Sequence, residues 1–247
     1  MILSMKKILP IILIFLAVPL YAQETLELIG RRMISVPEPS SLFLKDNFLW
    51  TVSDEDGCLY KLTRSGAVRM TYHLGLADRE SVYISDDGRF YLADEASSDV
   101  MVLDSHRKLL KKYSMDLGEV SKNSGAEGLT YSPDSGHFYV VKEKKPAEII
   151  EFDSEFNKLA VYDGSFAKDL SDIFYDRVNR VFWVLSHKSN SVFIWTPDDG
   201  VKNVYAFDIV QAEGLTIDFD RNLIYIVSDK DNQMYTFQIP AAYSALK

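Results

Sequence analysis

Residues 126–144 have the sequence AEGLTYSPDSGHFYVVKEK, and residues 212–230 have the sequence AEGLTIDFDRNLIYIVSDK. In both segments an apolar stretch that begins with Glu-Gly-Leu is followed by a polar turn and by a second apolar stretch. Two short apolar runs separated by Asp, Gly, Asn or Ser are typical of a β-hairpin. The chain therefore contains at least two copies of one hairpin unit.

A wider comparison of the sequence with itself finds five copies of this unit. Their second strands are LWTVSDED (49–56), FYLADEAS (90–97), FYVVKEKK (138–145), FWVLSHKS (182–189) and IYIVSDKD (224–231). Their aromatic anchors are Trp50, Tyr91, Tyr139, Trp183 and Tyr225, which recur at a nearly constant interval. A third apolar strand and a more polar fourth strand follow each anchor. Four antiparallel strands repeated at this period predict the blades of an all-β propeller.

The last unit ends after its third strand, so its blade lacks a fourth strand. The segment TLELIGRRMIS (25–35) is strand-like and belongs to none of the five units. We therefore predict a five-bladed β-propeller in which this N-terminal strand completes the last blade and removes an exposed sheet edge. The alternative of six blades would need about 45 more residues or a divergent unit.

Residues 1–22 have the features of a secretory signal peptide. Lys6 and Lys7 precede an apolar run from Ile8 to Leu20, and the small residue Ala22 marks the expected cleavage site. This run is short and interrupted by prolines, which favours a cleaved signal over a membrane span. We expect residues 1–22 to be removed and residues 23–247 to form one propeller domain, exported to the periplasm or the extracellular space.

The composition limits the classes of partner. The expected cleavage removes two lysines and no acid, and the net charge of the chain changes from −9 to −11, which argues against binding to nucleic acid. Cys58 is the single cysteine of the chain, so the exported fold has no internal disulfide. We expect a monomer without a membrane span after cleavage, with an unidentified small molecule or protein as its ligand.

Acidic residues recur at two positions of the unit. The first strands begin at Ser40, Glu80, Glu127, Asp172 and Glu213, and the second strands end near Asp54, Glu95, Glu143, His187 and Asp229. The first strand of a propeller blade lines the central channel, and the second strand returns antiparallel to the same level. Both sets are therefore predicted to meet at one mouth of the channel.

Three interpretations of this acidic mouth are open. A cation would offset the repulsion among so many carboxylates, and oxygen ligands favour Ca²⁺, with Glu80, Glu127, Asp172 and Glu213 as candidate metal ligands. The second set is then the candidate ligand-binding set. In an enzyme, the metal would activate an ester, lactone or phosphoester for hydrolysis while His187 or Glu143 moves protons. In the third interpretation the carboxylates only accept backbone hydrogen bonds from the next blade.

The repeated Glu-Gly-Leu unit resembles the SdiA-regulated family of exported bacterial β-propellers. That family is distantly similar to NHL-repeat, esterase-like phytase and gluconolactonase-type propellers. The gluconolactonase-like proteins hold a divalent cation at the channel mouth with acids and an asparagine, and Glu80, Glu127, Asp172 and Glu213 correspond by position. Ser40 replaces the acid in the first unit, and no asparagine occupies a mouth position. The resemblance implies the fold and leaves the activity open.

Overall fold

The computed structural model describes residues 24–75, 79–118, 125–144 and 146–244, so the predicted signal peptide lies outside the described residues. The chain begins with two short strands, β1 (Glu24–Thr25) and β2 (Leu28–Met33). Each of the next four units supplies a four-stranded antiparallel sheet, and a fifth unit of three strands follows.

The strands of the first two blades are β3 (Phe43–Lys45), β4 (Phe48–Val52), β5 (Cys58–Thr63), β6 (Val68–His73), β7 (Arg79–Ile84), β8 (Phe90–Asp94), β9 (Asp99–Leu103) and β10 (Leu109–Ser114). Those of the third and fourth blades are β11 (Ala126–Ser132), β12 (His137–Lys142), β13 (Glu148–Phe152), β14 (Lys158–Asp163), β15 (Asp172–Asp176), β16 (Val181–Ser186), β17 (Ser191–Thr196) and β18 (Gly200–Ala206). The fifth unit consists of β19 (Ala212–Asp218), β20 (Leu223–Ser228) and β21 (Gln233–Gln238).

The inner strands of the blades form a ring. Each of β3, β7, β11, β15 and β19 contacts the inner strand of the next blade, and β19 contacts β3 to close the circle. The described residues therefore form a five-bladed propeller, as the repeat spacing predicts, and contain no sixth blade.

The N-terminal strand completes the last blade. β2 pairs antiparallel with β21, with Arg31 opposite Tyr235, and this confirms the predicted closure. The sequence did not predict the role of β1, which pairs parallel with β18 and adds a fifth strand to blade 4. The beginning of the described chain therefore ties together the last two blades of the ring.

The hydrophobic core consists of five clusters, one between each pair of adjacent blades. The aromatic anchors of the repeat are distributed one to each cluster: Trp50, Tyr91, Tyr139, Trp183 and Tyr225. These large side chains fill the space between sheets that pack face to face. The repeat spacing of the aromatic residues is thus the spacing of the interfaces between blades.

The outer strands β6, β10 and β14 are mostly exposed, which agrees with their polar sequences. A single turn of helix, α1 (Ala241–Ser244), follows β21, and Tyr243 within it donates a hydrogen bond to the buried Asp176 of blade 4. Within the part of the chain that the structure describes, no helix is long and apolar enough to cross a membrane.

Candidate functional site

Three glutamates at the channel mouth occupy equivalent irregularities of the inner strands. The pairing of β7 with β8, β11 with β12 and β19 with β20 shifts by one residue, and the additional residue is Glu80, Glu127 or Glu213. A β-bulge of this kind leaves one residue outside the ladder and re-aims its side chain. The bulges thus explain how glutamates of three blades come to face the same opening.

These glutamates line one cavity of about 230 Å³, here called the acidic mouth. Its lining consists of Ser40, Asp54, Glu80, Glu95, Glu127, Glu143, Lys144, His187, Gln211, Glu213 and Asp229. Of the acids and the histidine selected from the sequence, all but Asp172 are in this set. The structure therefore brings together the whole second set of predicted residues and three of the four predicted metal ligands.

Asp172 is displaced from the mouth by one position in the register. In blade 4, Phe174 is paired with the anchor Trp183, as Thr216 is paired with Tyr225 in blade 5. Counting back from these pairs, the residue equivalent to Glu213 is Ser171. Asp172 therefore corresponds to the glycine that follows Glu213 and does not line the mouth with the glutamates, contrary to the prediction from the sequence.

The Asp172 carboxylate connects neighbouring blades. It is buried, and its two oxygens accept hydrogen bonds from the backbone N–H groups of Leu215 and Ile173, both at 2.8 Å. Burial raises the pKa of Asp172, while these backbone donors act in the opposite direction. The interpretation of the acids as backbone acceptors thus applies to Asp172.

Each of the five junctions between blades has one such hydrogen bond from a backbone N–H to a side chain of the neighbouring inner strand. The pairs are Val82 to Ser41, Leu129 to Ser81, Tyr175 to Thr130, Leu215 to Asp172 and Leu44 to Thr216, at 2.8 to 3.2 Å. In this set serine, threonine and one aspartate make the connections. Glu80, Glu127 and Glu213 are not among them.

The glycines of the Glu-Gly-Leu triplets lie where neighbouring backbones approach. A Cβ atom on Gly214 would lie 2.5 Å from the carbonyl carbon of Ser41, and one on Gly128 would lie 2.7 Å from Cα of Asp172. These distances are too short for any side chain. The triplet therefore combines a glutamate that faces the mouth with a glycine that allows the backbone of the neighbouring blade to approach closely.

Burial and mutual repulsion disfavour ionisation of the three glutamates. Burial raises the pKa of Glu80 and of Glu127 well above the usual range, and neighbouring carboxylates raise it further. Burial likewise raises the pKa of Glu213 to about 8, although Ser171 donates a hydrogen bond that acts against this rise. Asp229 has a raised pKa, also chiefly through burial. The site is therefore a group of acids that hold protons tightly when nothing else offsets their charge.

Two lysines neutralise one side of the mouth. Nζ of Lys188 lies 2.7 Å from Oε1 of Glu143, and Lys144 donates a hydrogen bond to the other oxygen of this carboxylate. Glu143 is therefore fully engaged by cations and is poorly placed to move protons. Lys142 is buried away from the cavity, where it contacts Glu148 and the carbonyl oxygen of Leu117.

His187 is held by an aspartate that the sequence did not single out. Its Nδ1 atom lies 3.0 Å from Oδ2 of Asp169, 3.2 Å from Oγ of Ser171 and 3.4 Å from Oε1 of Glu213. Because Ser171 and Asp169 both meet the same ring nitrogen, this arrangement is not a Ser-His-Asp triad, in which they meet different nitrogens. Burial lowers the pKa of His187, so the ring is neutral near pH 7.

Asp169 lies in the segment between β14 and β15, where no repeat marks it. It is fully buried and also accepts hydrogen bonds from the hydroxyl group of Ser186 and the backbone N–H of Lys188. Only the buried position of this loop, which the sequence does not reveal, identifies it as part of the site. Gln211 donates a hydrogen bond to Asp229 at 2.9 Å, and it was missed because it lies in the connection before β19, where no repeat marks it.

The described residues contain no group of three or more His, Cys, Asp or Glu side chains that are close enough together to hold a metal ion as they stand. The carboxylate oxygens suit a hard cation such as Ca²⁺ by their chemistry. Calcium binding stays a prediction on these grounds.

The fold is shared with solved propellers of low sequence identity. The glutaminyl cyclase of Myxococcus xanthus is 13% identical, with 87% of this chain and 98% of that chain covered and a TM-score of 0.67. A WD40 β-propeller domain of Doa1 is 18% identical over 82% of this chain and 64% of that chain, with a TM-score of 0.53. A streptogramin B lyase is 14% identical, with 86% of this chain and 73% of that chain covered and a TM-score of 0.50. At these identities the likeness concerns the fold alone.

The sequence itself matches one family. The sequence model of the SdiA-regulated family aligns with residues 41–238, which span β3 to β21 and include every residue of the acidic mouth except Ser40. The resemblance inferred from the Glu-Gly-Leu repeats is thereby confirmed. The chain belongs to the SdiA-regulated family.

Proposed function

We propose that this protein binds a positively charged ligand at the acidic mouth of its channel. The observation that carries the proposal is the placement of Glu80, Glu127 and Glu213 in three equivalent bulges, from which their half-buried side chains line one cavity. Serine, threonine and Asp172 accept the backbone N–H groups at the junctions between blades. Glu80 and Glu213 instead accept hydrogen bonds from hydroxyl groups of the preceding blade, those of Ser40 and Ser171, so the backbone junctions do not account for these glutamates.

Ionisation of the mouth glutamates is unfavourable when no cation is bound. Buried carboxylates that repel one another destabilise the fold when they ionise, and they hold their protons to avoid this cost. A bound cation would offset the repulsion and allow ionisation. A cation at the mouth therefore competes with these protons for the carboxylates.

The dimensions of the site favour a cation larger than a bare ion. A cavity of about 230 Å³ has the volume of roughly eight water molecules. Ca²⁺ accepts six to eight oxygen ligands and keeps waters among them, so a hydrated Ca²⁺ held by Glu80, Glu127 and Glu213 is one occupant. An organic ammonium group, whose N–H donors meet the same carboxylates, is the other.

The proposed setting is the cell envelope. A signal peptide over residues 1–22 would export the domain to the periplasm or the extracellular space, where divalent cations and free amines both reach the mouth. The role would be recognition or scaffolding by a monomeric propeller. A cationic group carried by a larger molecule would serve this role as well as a free amine.

Thermal melting tests the proposal. The mature protein is first dialysed against EDTA and then melted with CaCl₂, MgCl₂ or spermidine, with NaCl at matched ionic strength as the control. A ligand at 100 times its Kd adds about 2.7 kcal/mol, which for a domain of this size raises Tm by roughly 5 to 11 °C. A rise with CaCl₂ or with spermidine beyond the NaCl control is expected. Equal Tm values in all four solutions would refute cation binding.

Hydrolysis of an ester, lactone or phosphoester is a second candidate function, and one observation favours it. His187 is neutral, is oriented by Asp169 and lies beside Glu213 at the cavity. A ring fixed at Nδ1 presents Nε2 to a substrate as a general base. Release of 4-nitrophenol from its acetate and phosphate esters, abolished in His187→Gln and retained in the exposed-loop variant Asp198→Asn, would support it.

A further inference from the structure

A second and larger cavity lies at the opposite end of the inner strands. Its volume is about 670 Å³, and it is lined by the rings of Tyr83, Tyr91, Tyr113, Tyr131 and Phe138, which we call the aromatic cavity. Tyr83 follows Glu80 by three residues on β7, so one strand contributes to the acidic mouth at its start and to the aromatic cavity near its end. The two sites are therefore separate.

The rings form one connected cluster. The centroid of Phe138 lies 4.9 Å from those of Tyr91 and Tyr131 and 6.1 Å from that of Tyr83. Tyr83 and Phe138 are buried and form the floor, whereas Tyr91, Tyr113 and Tyr131 are partly exposed. Packing of the rings against one another fixes their orientation before any ligand arrives.

The rim of the cavity is basic, although the chain as a whole has a net charge of −9. Arg89, Lys111 and Arg177 line it together with Asp86 and Asp87. Nη1 of Arg177 lies 2.7 Å from Asp86, and Nε of Arg89 lies 3.2 Å from Asp87. Both carboxylates are thus already balanced by arginines.

Lys111 supplies the remaining positive charge. Its Nζ atom lies 4.2 Å from the centroid of the Tyr113 ring, directly at the cavity. A cation over an aromatic face is held by the ring quadrupole and keeps its N–H donors for an anion. This ammonium group therefore stands beside a flat apolar surface with its charge not offset by Asp86 or Asp87.

We propose that the aromatic cavity binds an organic anion with a flat aromatic portion, such as an aryl carboxylate, phosphate or sulfonate. The aromatic portion stacks on the exposed faces of Tyr91 and Tyr131, and the anionic group meets Lys111 at the rim. The volume lies within the range of about 300 to 1,000 Å³ that is usual for sites of small ligands. This proposal does not depend on cation binding at the acidic mouth.

The charge of the rim decides between an anion and a cation. Aromatic faces alone attract cations, but Lys111 already occupies the face of Tyr113. Because Asp86 and Asp87 balance the two arginines, Lys111 leaves the rim with a net positive charge. An aromatic cation would meet like charge on entering. Charge complementarity therefore selects the anion.

Titration calorimetry on the mature protein with three probes tests this inference. Naphthalene-2-sulfonate carries both the ring and the anionic group, methanesulfonate carries the anionic group alone, and 2-naphthylmethylammonium carries the ring with a positive charge. We expect naphthalene-2-sulfonate to bind one to one and at least tenfold more tightly than methanesulfonate. Absence of binding by naphthalene-2-sulfonate at millimolar concentration, or equal affinity for methanesulfonate, would overturn the proposal.

A pair of adjacent lysines on β10 gives a matched control. Lys111 faces the cavity, whereas Lys112 lies 2.5 Å from Asp99 and is not part of the lining. Lys111→Gln and Lys112→Gln change the net charge equally at exposed positions. We expect Lys111→Gln to weaken naphthalene-2-sulfonate binding about three- to tenfold and Lys112→Gln to leave it unchanged. Equal weakening by both variants would exclude a site at the cavity.

The same titrations separate this inference from the proposed function. Glu127→Gln at the acidic mouth is expected to leave the affinity for naphthalene-2-sulfonate unchanged. The cationic probe 2-naphthylmethylammonium, if it binds, is expected to lose affinity in Glu127→Gln and to keep it in Lys111→Gln. A loss of sulfonate binding in Glu127→Gln would show that the anion does not bind at the aromatic cavity.

Discussion

Oδ2 of Asp172 in blade 4 accepts a hydrogen bond from the backbone N–H of Leu215 in blade 5 at 2.8 Å. The other oxygen accepts a hydrogen bond from the N–H of Ile173. Because the carboxylate is buried, each of these donors would lose its partner without access to water if the oxygen were removed. Asp172 therefore holds two blades together.

The first prediction concerns this junction. Asp172→Asn replaces one acceptor oxygen by an NH₂ group, which places two donors face to face. We expect the free energy of unfolding to fall by about 2 kcal/mol, measured by urea denaturation. Asp198→Asn makes the same substitution in an exposed turn and is expected to change the free energy of unfolding by less than about 0.5 kcal/mol. An equal loss of unfolding free energy in both variants would mean that the Asp172 hydrogen bonds do not stabilise the fold.

The second prediction concerns the glycine of the last triplet. Gly214→Ala places a Cβ 2.5 Å from the carbonyl carbon of Ser41 and 2.8 Å from the backbone nitrogen of Leu42. Backbone atoms are unable to move aside, so we expect a loss of roughly 1 to 3 kcal/mol in urea denaturation. Gly30→Ala is the control, because a Cβ there meets no atom within 4 Å. A midpoint for Gly214→Ala equal to that of Gly30→Ala would contradict the close approach of blades 5 and 1.

The sequence predicted the fold because each aromatic anchor marks a separate interface between blades. It predicted the location of Glu127 and Glu213 because both stand at the same interval before their anchors, Tyr139 and Tyr225. The interval from Glu80 to Tyr91 is shorter by one position, since the hairpin turn is shorter. Turn lengths thus vary, and spacing alone does not decide which residue of a neighbouring pair faces the mouth.

Blade 4 shows the consequence. Ser171 precedes Trp183 by the same interval that separates Glu127 from Tyr139, and Asp172 precedes it by the shorter interval found between Glu80 and Tyr91. The choice between them depends on the length of the hairpin turn. In blade 4, Phe174 pairs with Trp183 at the same interval as the equivalent pairs of blades 3 and 5, which selects Ser171. The role of Asp169 was not predictable from the sequence for another reason. Asp169 lies in a connecting segment, and its burial there depends on tertiary packing rather than on the repeat.

The third prediction concerns pH. The folded-state pKa of Glu213 is about 8, above its unfolded value near 4.5, so the folded protein binds this proton more tightly. Its stabilising effect is fully present below pH 4.5 and is lost as the pH rises toward 8. In EDTA, the free energy of unfolding should therefore decrease between pH 5 and pH 8.

Glu213→Gln provides the test of this cause. The amide does not ionise, so the decrease between pH 5 and pH 8 should become shallower, and the variant should be more stable than the wild type at pH 8. Each pKa unit removed corresponds to about 1.4 kcal/mol. Glu155→Gln, in an exposed turn, is expected to keep the wild-type slope. If the unfolding free energy of Glu213→Gln fell with pH as steeply as that of the wild type, the Glu213 carboxyl would not be the cause of the pH dependence.

The fourth prediction separates the glutamates of the mouth from the aspartate of the junction. Glu127 lines the cavity. For whichever cation raises Tm, we expect Glu127→Gln to weaken its binding at least tenfold, because one charged oxygen ligand is lost. Asp172→Asn should lower the starting Tm and still show the full rise with that cation. Binding should also weaken below pH 8, since protons compete for the same carboxylates. A rise in Tm that persists in Glu127→Gln and disappears in Asp172→Asn would reverse the roles assigned to these two residues.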